Sequence, residues 1–317
     1  MANEYGIPTT VDTVVLSTSL ADYQKRITDN VYNDVVVLKL ASQAGNKKSI
    51  DGGLSIVEPV IKAKQDDGGF YLGADVLNNT QGNDTGLVEF KWQNVYEPIS
   101  ITRDEERQNS GDMHKIVDLV GTKIQLAERA IKDRIDQALT TPVAQANNLI
   151  DLETLVNTGT LGTINGGSDT FWQATVTASG NFAAQGLTDM TTATYAVSSS
   201  SDTDNPTHYI TNKTIFQKFE QTRLPLERIS NSLTANAGFT NLTFKGKPVI
   251  YGNYVGTGLL FGLNFNYIYW AVDSATDFVT TPFISPTNQT VKVAYILVRC
   301  NLITNNRRRN FKLTGLV

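Results

Sequence analysis

The residues of this chain that could do chemistry are few and widely spaced. His114 and His208 are the two histidines, and Cys300 is the single cysteine. Structural and catalytic zinc sites draw on three or four His and Cys ligands, so these residues cannot build one; a carboxylate-only magnesium site stays formally open, but no metal site is expected. The one dense acidic cluster, Asp104-Glu105-Glu106, lies between Arg103 and Arg107 and reads as a charged surface ahead of a helix. The glycine run Gly256-Thr257-Gly258-Leu259-Leu260-Phe261-Gly262 lacks the spacing of a dinucleotide or phosphate loop. No nucleophile elbow is present either. Nothing organises a nucleophile, so we expect no catalytic residues, no cofactor and no enzyme.

One basic triplet stands out, Arg307-Arg308-Arg309, flanked by Asn305, Asn306 and Asn310. It reads either as a solvated turn between two strands or as a contact to phosphate or to an acidic neighbour. A formal net charge of −4 argues against a protein whose main task is gripping nucleic acid. Short basic runs are usually solvent-facing.

Composition bounds the rest. At 317 residues, 40% hydrophobic and 18% charged, the chain can bury a core in one large domain or two modest ones. With one cysteine no disulfide can close within the chain, and Cys300, inside the apolar run Val291–Ile303, reads as a small buried hydrophobe. The segment Met1–Gly6 carries neither a basic nor an apolar signal region, so synthesis in a cytoplasm is expected. No apolar run reaches membrane-spanning length. The Asn-x-Thr sequons at Asn78 and Asn212 then read as chance matches.

The elements that must position any site begin with the stretch Asp51–Pro142, an extended hairpin running into one long helix. The first arm, Leu54–Lys64, is rich in branched residues and interrupted by Pro59, which favours an edge strand. Turn formers crowd the tip, at Asp66–Gly69 and Asn78–Gly86. The returning arm alternates, with Val88, Phe90 and Trp92 on one face and Glu89, Lys91 and Gln93 on the other. Parity then flips to Val95, Ile99 and Ile101, as a bulge near Gln93-Asn94 would cause. A two-stranded hairpin is marginal in water, so it must pack either on its own domain or on a neighbouring chain.

The helix is expected over Asp112–Thr141. Ile116, Val120, Ile124, Ala127, Ile131, Ile135 and Leu139 recur at spacings of three or four and form one apolar stripe. Asp112 can cap its start, and Pro142 ends it. Roughly thirty residues span about 45 Å, long for a compact domain of modest size. The stripe serves a core or a partner helix, core being the commoner use.

Beyond Pro142 the composition turns to Thr, Ser, Ala and Gly up to Asn205, with loops around short elements. A strand is expected at His208–Thr211 and a helix over Thr214–Arg223, capped by Asn212. Paired short strands are expected around the turn in Leu242–Tyr251, and a further pair at Gly258–Gly262 and Tyr267–Val272. A long strand, Val291–Ile303, shows Val291, Val293, Tyr295 and Leu297 in alternation, and Phe311–Val317 gives a terminal strand. No fixed-period repeat argues for a solenoid or propeller. The class is α+β.

This order of elements resembles the major capsid protein of tailed bacteriophages, a fold shared with encapsulin nanocompartments and the floor of the herpesvirus capsid. The resemblance is carried by the extended loop, the long helix, the segment Tyr209-Ile210-Thr211-Asn212-Lys213 leading into Phe216, and the turn Phe244-Lys245-Gly246-Lys247-Pro248-Val249-Ile250. It implies an N-terminal arm over residues 1–50, an extended loop over 51–103, a peripheral domain with its spine helix over 104–145 and 273–317, and an axial domain over 146–272.

The same resemblance implies a subunit that forms hexamers and pentamers and self-assembles into an icosahedral shell around double-stranded DNA, without sequence-specific binding. Portal and a separate scaffold or decoration protein are the expected partners, since little sequence precedes the extended loop for a fused scaffold. Phe70, Tyr71, Phe90, Trp92 and the triplet Arg307, Arg308 and Arg309 are the expected assembly contacts. Overall acidity favours a protein contact for the triplet over DNA. Lys62, Lys64 and Asn78 match no crosslinking motif, so no covalent crosslink is expected. An encapsulin-like compartment and a phage tail or fibre protein are the alternatives; the long helix argues against the latter.

Overall fold

The computed structural model describes residues 35–42, 45–64, 68–77, 84–108, 113–142, 147–199, 204–227, 242–287 and 289–317. The expected cap Asp112 lies outside them, as do the side chains of Ile116 and His114.

In chain order the elements are α1 (Val36–Ala41), β1 (Lys47–Ile50), β2 (Ser55–Ile61), β3 (Thr85–Lys91), β4 (Gln93–Thr102), α2 (Arg103–Gln108) and α3 (Met113–Thr140). Next come α4 (Leu152–Leu155), β5 (Thr160–Leu161), β6 (Ile164–Asn165), β7 (Thr175–Ala178), α5 (Leu187–Val197), β8 (His208–Thr211) and α6 (Lys213–Glu227). The chain closes with β9 (Thr243–Phe244), β10 (Lys247–Tyr251), β11 (Leu260–Leu263), β12 (Ile268–Asp273), β13 (Val279–Thr280), β14 (Val291–Thr304) and β15 (Phe311–Thr314). Among the described residues no helix is long and apolar enough to cross a membrane.

These elements form two compact units. One gathers Val95–Arg134 and Thr276–Val298; the other gathers Asp34–Asn94, Ile135–Ala275 and Arg299–Val317. In the first, β4 and β13 pair with β14, Val279 facing Leu297 and Thr280 facing Ile296. Ile99, Ile101, Ala127, Ile131, Ala294, Ile296 and Val298 are buried. The buried face of β14 is therefore the one opposite to the Val291-Val293-Tyr295-Leu297 alternation. Apolar residues stand on both faces of this strand, and period alone cannot choose between two apolar faces.

The acidic cluster of this unit is structural. Thr102 and Glu105 form a capping box: the Thr102 N–H donates to Glu105 Oε2 at 2.9 Å, and the Glu105 N–H donates to Thr102 Oγ1 at 3.3 Å. Lys123 Nζ reaches the same carboxylate at 2.7 Å. Burial alone would raise the Glu105 pKa, but the bonds from Lys123 and Thr102 outweigh it and hold the carboxyl below its ordinary value. Glu105 is buried, not a surface charge. Glu106 pairs with Lys292 at 2.6 Å in a partly open ion pair.

The second unit is built on a six-stranded sheet, ordered β7-β15-β11-β8-β10-β9. Helices α5 and α6 supply Met190, Ala193, Val197, Ile215 and Phe219 to a core closed by Tyr209, Phe244, Val249, Leu260, Phe311 and Leu313. Asn212 caps α6 as expected, its Oδ1 accepting the Ile215 N–H at 3.0 Å. The β9–β10 turn is set by Lys245 and Gly246, both at positive φ (50° and 76°).

Two pairings differ from expectation. β11 joins β8 and β15, whereas β12 lies between β1 and the end of β14. β11 and β12 therefore enter different sheets. The terminal strand β15 pairs with β7 and β11, so 311–314 enter the six-stranded sheet.

Candidate functional site

The glycine run and the two chemically distinctive side chains prove to be packing features. Gly262 sits in β11 opposite Phe311, where an added Cβ would fall 2.1 Å from the ring. Gly258 needs its positive φ of 72° at the turn into that strand. Cys300 is buried in β14. His208 stacks edge-on against Phe265, with ring centroids 5.3 Å apart. Burial, and then the charge of Lys247, push its pKa below the ordinary value.

The hairpin β2–β3 is a two-stranded sheet of its own, registered Ser55 to Lys91 through Ile61 to Thr85. Both strands are therefore edges, which accounts for Pro59 within β2. Trp92 separates β3 from β4 along the chain, and burial changes parity across it, from Val88 and Phe90 to Ile99 and Ile101. That is where a bulge was expected.

Its two faces have different fates. Ile56, Glu58, Val60, Val88 and Phe90 are buried. The turn between β5 and β6 lies on this face: a Cβ at Gly162 would come within 2.7 Å of both Glu89 O and Val88 Cγ2. Glu58 is neutralised by Lys48 at 2.8 Å. Phe90, expected as an assembly contact, is thus buried within its own chain. Pattern alone could not tell a face that serves its own unit from one that serves a neighbour.

The opposite face and the tip are open. Val57, Ile61 and Leu87 are exposed on the strands, and Phe70, Tyr71, Leu72, Val76 and Leu77 at the tip, with Phe70 fully exposed. Soluble chains rarely leave so many large apolar residues in one element without a partner. At the root, Trp92 is half-buried with the Arg299 guanidinium 5.0 Å above its ring. Its Nε1–H is buried without a hydrogen-bond partner among the described residues.

The basic triplet divides three ways. Arg307 is only 1% exposed and lies in a short 3₁₀ turn, Arg307–Arg309. Its Nε donates to Leu155 O at 2.7 Å, Nη2 to Thr154 O at 2.7 Å, and Nη1 to Gly159 O at 2.5 Å and Trp172 O at 3.3 Å. Burial lowers its pKa to about 10, so it stays cationic at neutral pH. Its partners are backbone carbonyls, a signal no side-chain pattern carries. The expectation of a solvent-facing or intersubunit Arg307 is therefore corrected: it knots 154–172 to the turn before β15. Arg309 pairs with Asp204 at 2.8 Å and donates to Val197 O. Arg308 alone is exposed.

A long helix, a hairpin standing as its own sheet and a mixed six-stranded sheet in one chain make a distinctive combination. The structure of a cyanophage A-1(L) capsid asymmetric unit superposes with a TM-score of 0.68 at 15% identity, covering 95% of this chain and 99% of that one. This chain has the fold of tailed-phage capsid proteins. The capsid of the myovirus XM1 matches with a TM-score of 0.57 at 14% identity, over 95% of this chain and 98% of that one. The SrpI encapsulin of Synechococcus elongatus matches with a TM-score of 0.58 at 11% identity, over 95% of each chain. No family model matches the sequence, nor does any curated protein.

Proposed function

We propose that this chain is the structural subunit of an icosahedral shell, assembling as hexamers and pentamers around the double-stranded DNA of a tailed bacteriophage. One observation carries the reading: the hairpin buries one face in its own unit and leaves the other, with its apolar tip, uncovered. A second copy of the chain is the occupant this geometry needs, because a shell subunit repeats every contact and many modest contacts add to a stable whole. Residues 1–50 serve as the arm, 51–103 as the extended loop, 104–145 with 273–310 as the peripheral domain, and 146–272 as the axial domain, which β15 joins. Phe70, Tyr71, Trp92 and Arg308 are the contacts offered to neighbours.

The net negative charge suits a shell that encloses DNA without gripping its sequence. Portal, and a separate scaffold or decoration protein, complete the particle, which is made in the host cytoplasm. The encapsulin match supports a second reading, a compartment enclosing protein cargo.

Sedimentation velocity tests the assembly claim. The purified chain should sediment as large, discrete particles. Phe70→Ser with Leu72→Ser should return it to slow species with an unchanged circular dichroism spectrum. A wild-type chain that stays monomeric, or a variant that assembles equally well, contradicts the reading.

A further inference from the structure

Among the described residues the hairpin β2–β3 shares no ladder with a neighbouring sheet. Its two links to the rest of the chain are short and non-repetitive: Asp51–Leu54 on one side, with Gly52 and Gly53 at φ 66° and 97°, and Trp92 on the other. Neither link fixes a direction by backbone pairing. The buried face of Ile56, Val60, Val88 and Phe90 favours docking, but hydrophobic contact is non-directional. The Lys48–Glu58 pair holds the middle of β2, and the two roots need directional contacts of their own.

Two side chains of β14, on the same face of that strand, hold one root each. Arg299 Nη2 donates to Gly53 O at 3.0 Å, just before β2. Asn301 Nδ2 donates to Lys91 O at 2.7 Å, at the end of β3. Both are themselves oriented. Asp273 accepts from Arg299 Nη1 at 3.1 Å, and the guanidinium lies over the Trp92 ring. Asn301, 1% exposed, accepts the Ile150 N–H at 3.0 Å on its Oδ1, which fixes its amide. Planar donors held at both ends are directional in a way an apolar face is not.

The geometry points to Arg299 and Asn301 as a two-point clamp that sets the angle of the hairpin, with Gly52–Gly53 and Trp92 as the pivots it restrains. A seven-residue strand is roughly 23 Å long, so a swing of about 10° at the root moves its far end by on the order of 4 Å. The clamp thereby determines where the exposed face of Val57, Ile61 and Leu87 is presented. This deepens the shell-subunit reading and rests on it only for the identity of the surface presented to.

Pulsed dipolar spectroscopy tests it on the full chain. Spin labels at Ile61→Cys on the hairpin and Thr192→Cys on α5, both exposed, report one intrachain distance, with labelled chain diluted in excess unlabelled chain. Cys300 is buried and stays unlabelled. The parent should give one narrow distribution. Arg299→Ala should at least double its width around a similar mean. Arg299→Lys, which keeps the charge and loses the fork, should resemble alanine, and Asp273→Asn should give an intermediate width while leaving Arg299 in place. Unchanged widths in all three variants overturn the clamp and leave the buried face, with its Lys48–Glu58 pair, as the determinant. The readout does not depend on assembly, so failure here and failure of the shell reading are separately visible.

Discussion

Asp136, a carboxylate 1% exposed on α3, accepts the backbone N–H of Val37 on Oδ1 at 2.9 Å. The same oxygen accepts the Leu38 N–H at 3.0 Å. These are the first-turn donors of α1, which have no partner within that helix. One side chain on the long helix therefore caps a second helix about a hundred positions earlier in the sequence. Asp136→Ala should cost about 1.5–3 kcal/mol, the range for hydrogen bonds to charged groups, while Asp136→Asn, which keeps an acceptor oxygen, should cost less. Denaturant midpoints measure both, and equal midpoints for alanine and parent would mean that α1 does not rest on this contact.

The arginine triplet makes a sharp internal contrast. Arg307→Ala removes the donor to four carbonyls, those of Leu155 and Trp172 in buried bonds and those of Thr154 and Gly159 in part-buried ones, and a loss of about 3 kcal/mol is expected, seen as misfolding or a large fall in melting temperature. Arg308→Ala, at an exposed position, should stay within about 0.5 kcal/mol of the parent. Similar melting temperatures for the two variants would contradict the buried knot.

His208 predicts a pH dependence. Its folded pKa lies below the ordinary 6.5, first through burial and then through Lys247. The unfolded chain therefore takes up a proton more readily than the folded one. Stability should be unaffected by this group above pH 7, and should fall as pH drops through about 6.5 toward the lower folded value. His208→Gln should flatten that part of the curve of melting temperature against pH. A parent and variant with parallel curves would show that His208 is not the group responsible.

Gly262 should resist even the smallest change. The Phe311 ring occupies the space of its missing Cβ and is itself fully buried, so it cannot move aside cheaply. Gly262→Ala should cost about 1–3 kcal/mol, the range for overpacking a core. Chemical denaturation would reveal it, and an unchanged midpoint would mean the β11–β15 contact is looser than described.

Much of this architecture is legible in the residues. The spacing from Ala127 to Leu139 gives α3 its buried stripe, Pro142 ends it, and Asn212 announces α6. What stays hidden has a common cause. Partners of backbone carbonyls leave no mark in the pattern, so Arg307 reads as surface charge although it is interior. The Thr102–Glu105 capping box, by contrast, is written in the sequence, and its Thr-x-x-Glu spacing is a signal strong enough to have found it. Strand partners are set by the whole sheet, so β11 and β12 look like a pair and are not. The same limit applies to Phe90 and Phe70. Both are hairpin aromatics, one buried in its own chain and one open, and alternation identifies faces without naming what covers them.

The central claim is that this chain builds a closed shell, and electron microscopy of the purified protein tests it most directly. Closed particles of uniform diameter, with fivefold and sixfold clusters of subunits on their surface, are the predicted result. Discrete monomers or small open oligomers under every salt and protein concentration tried would contradict it.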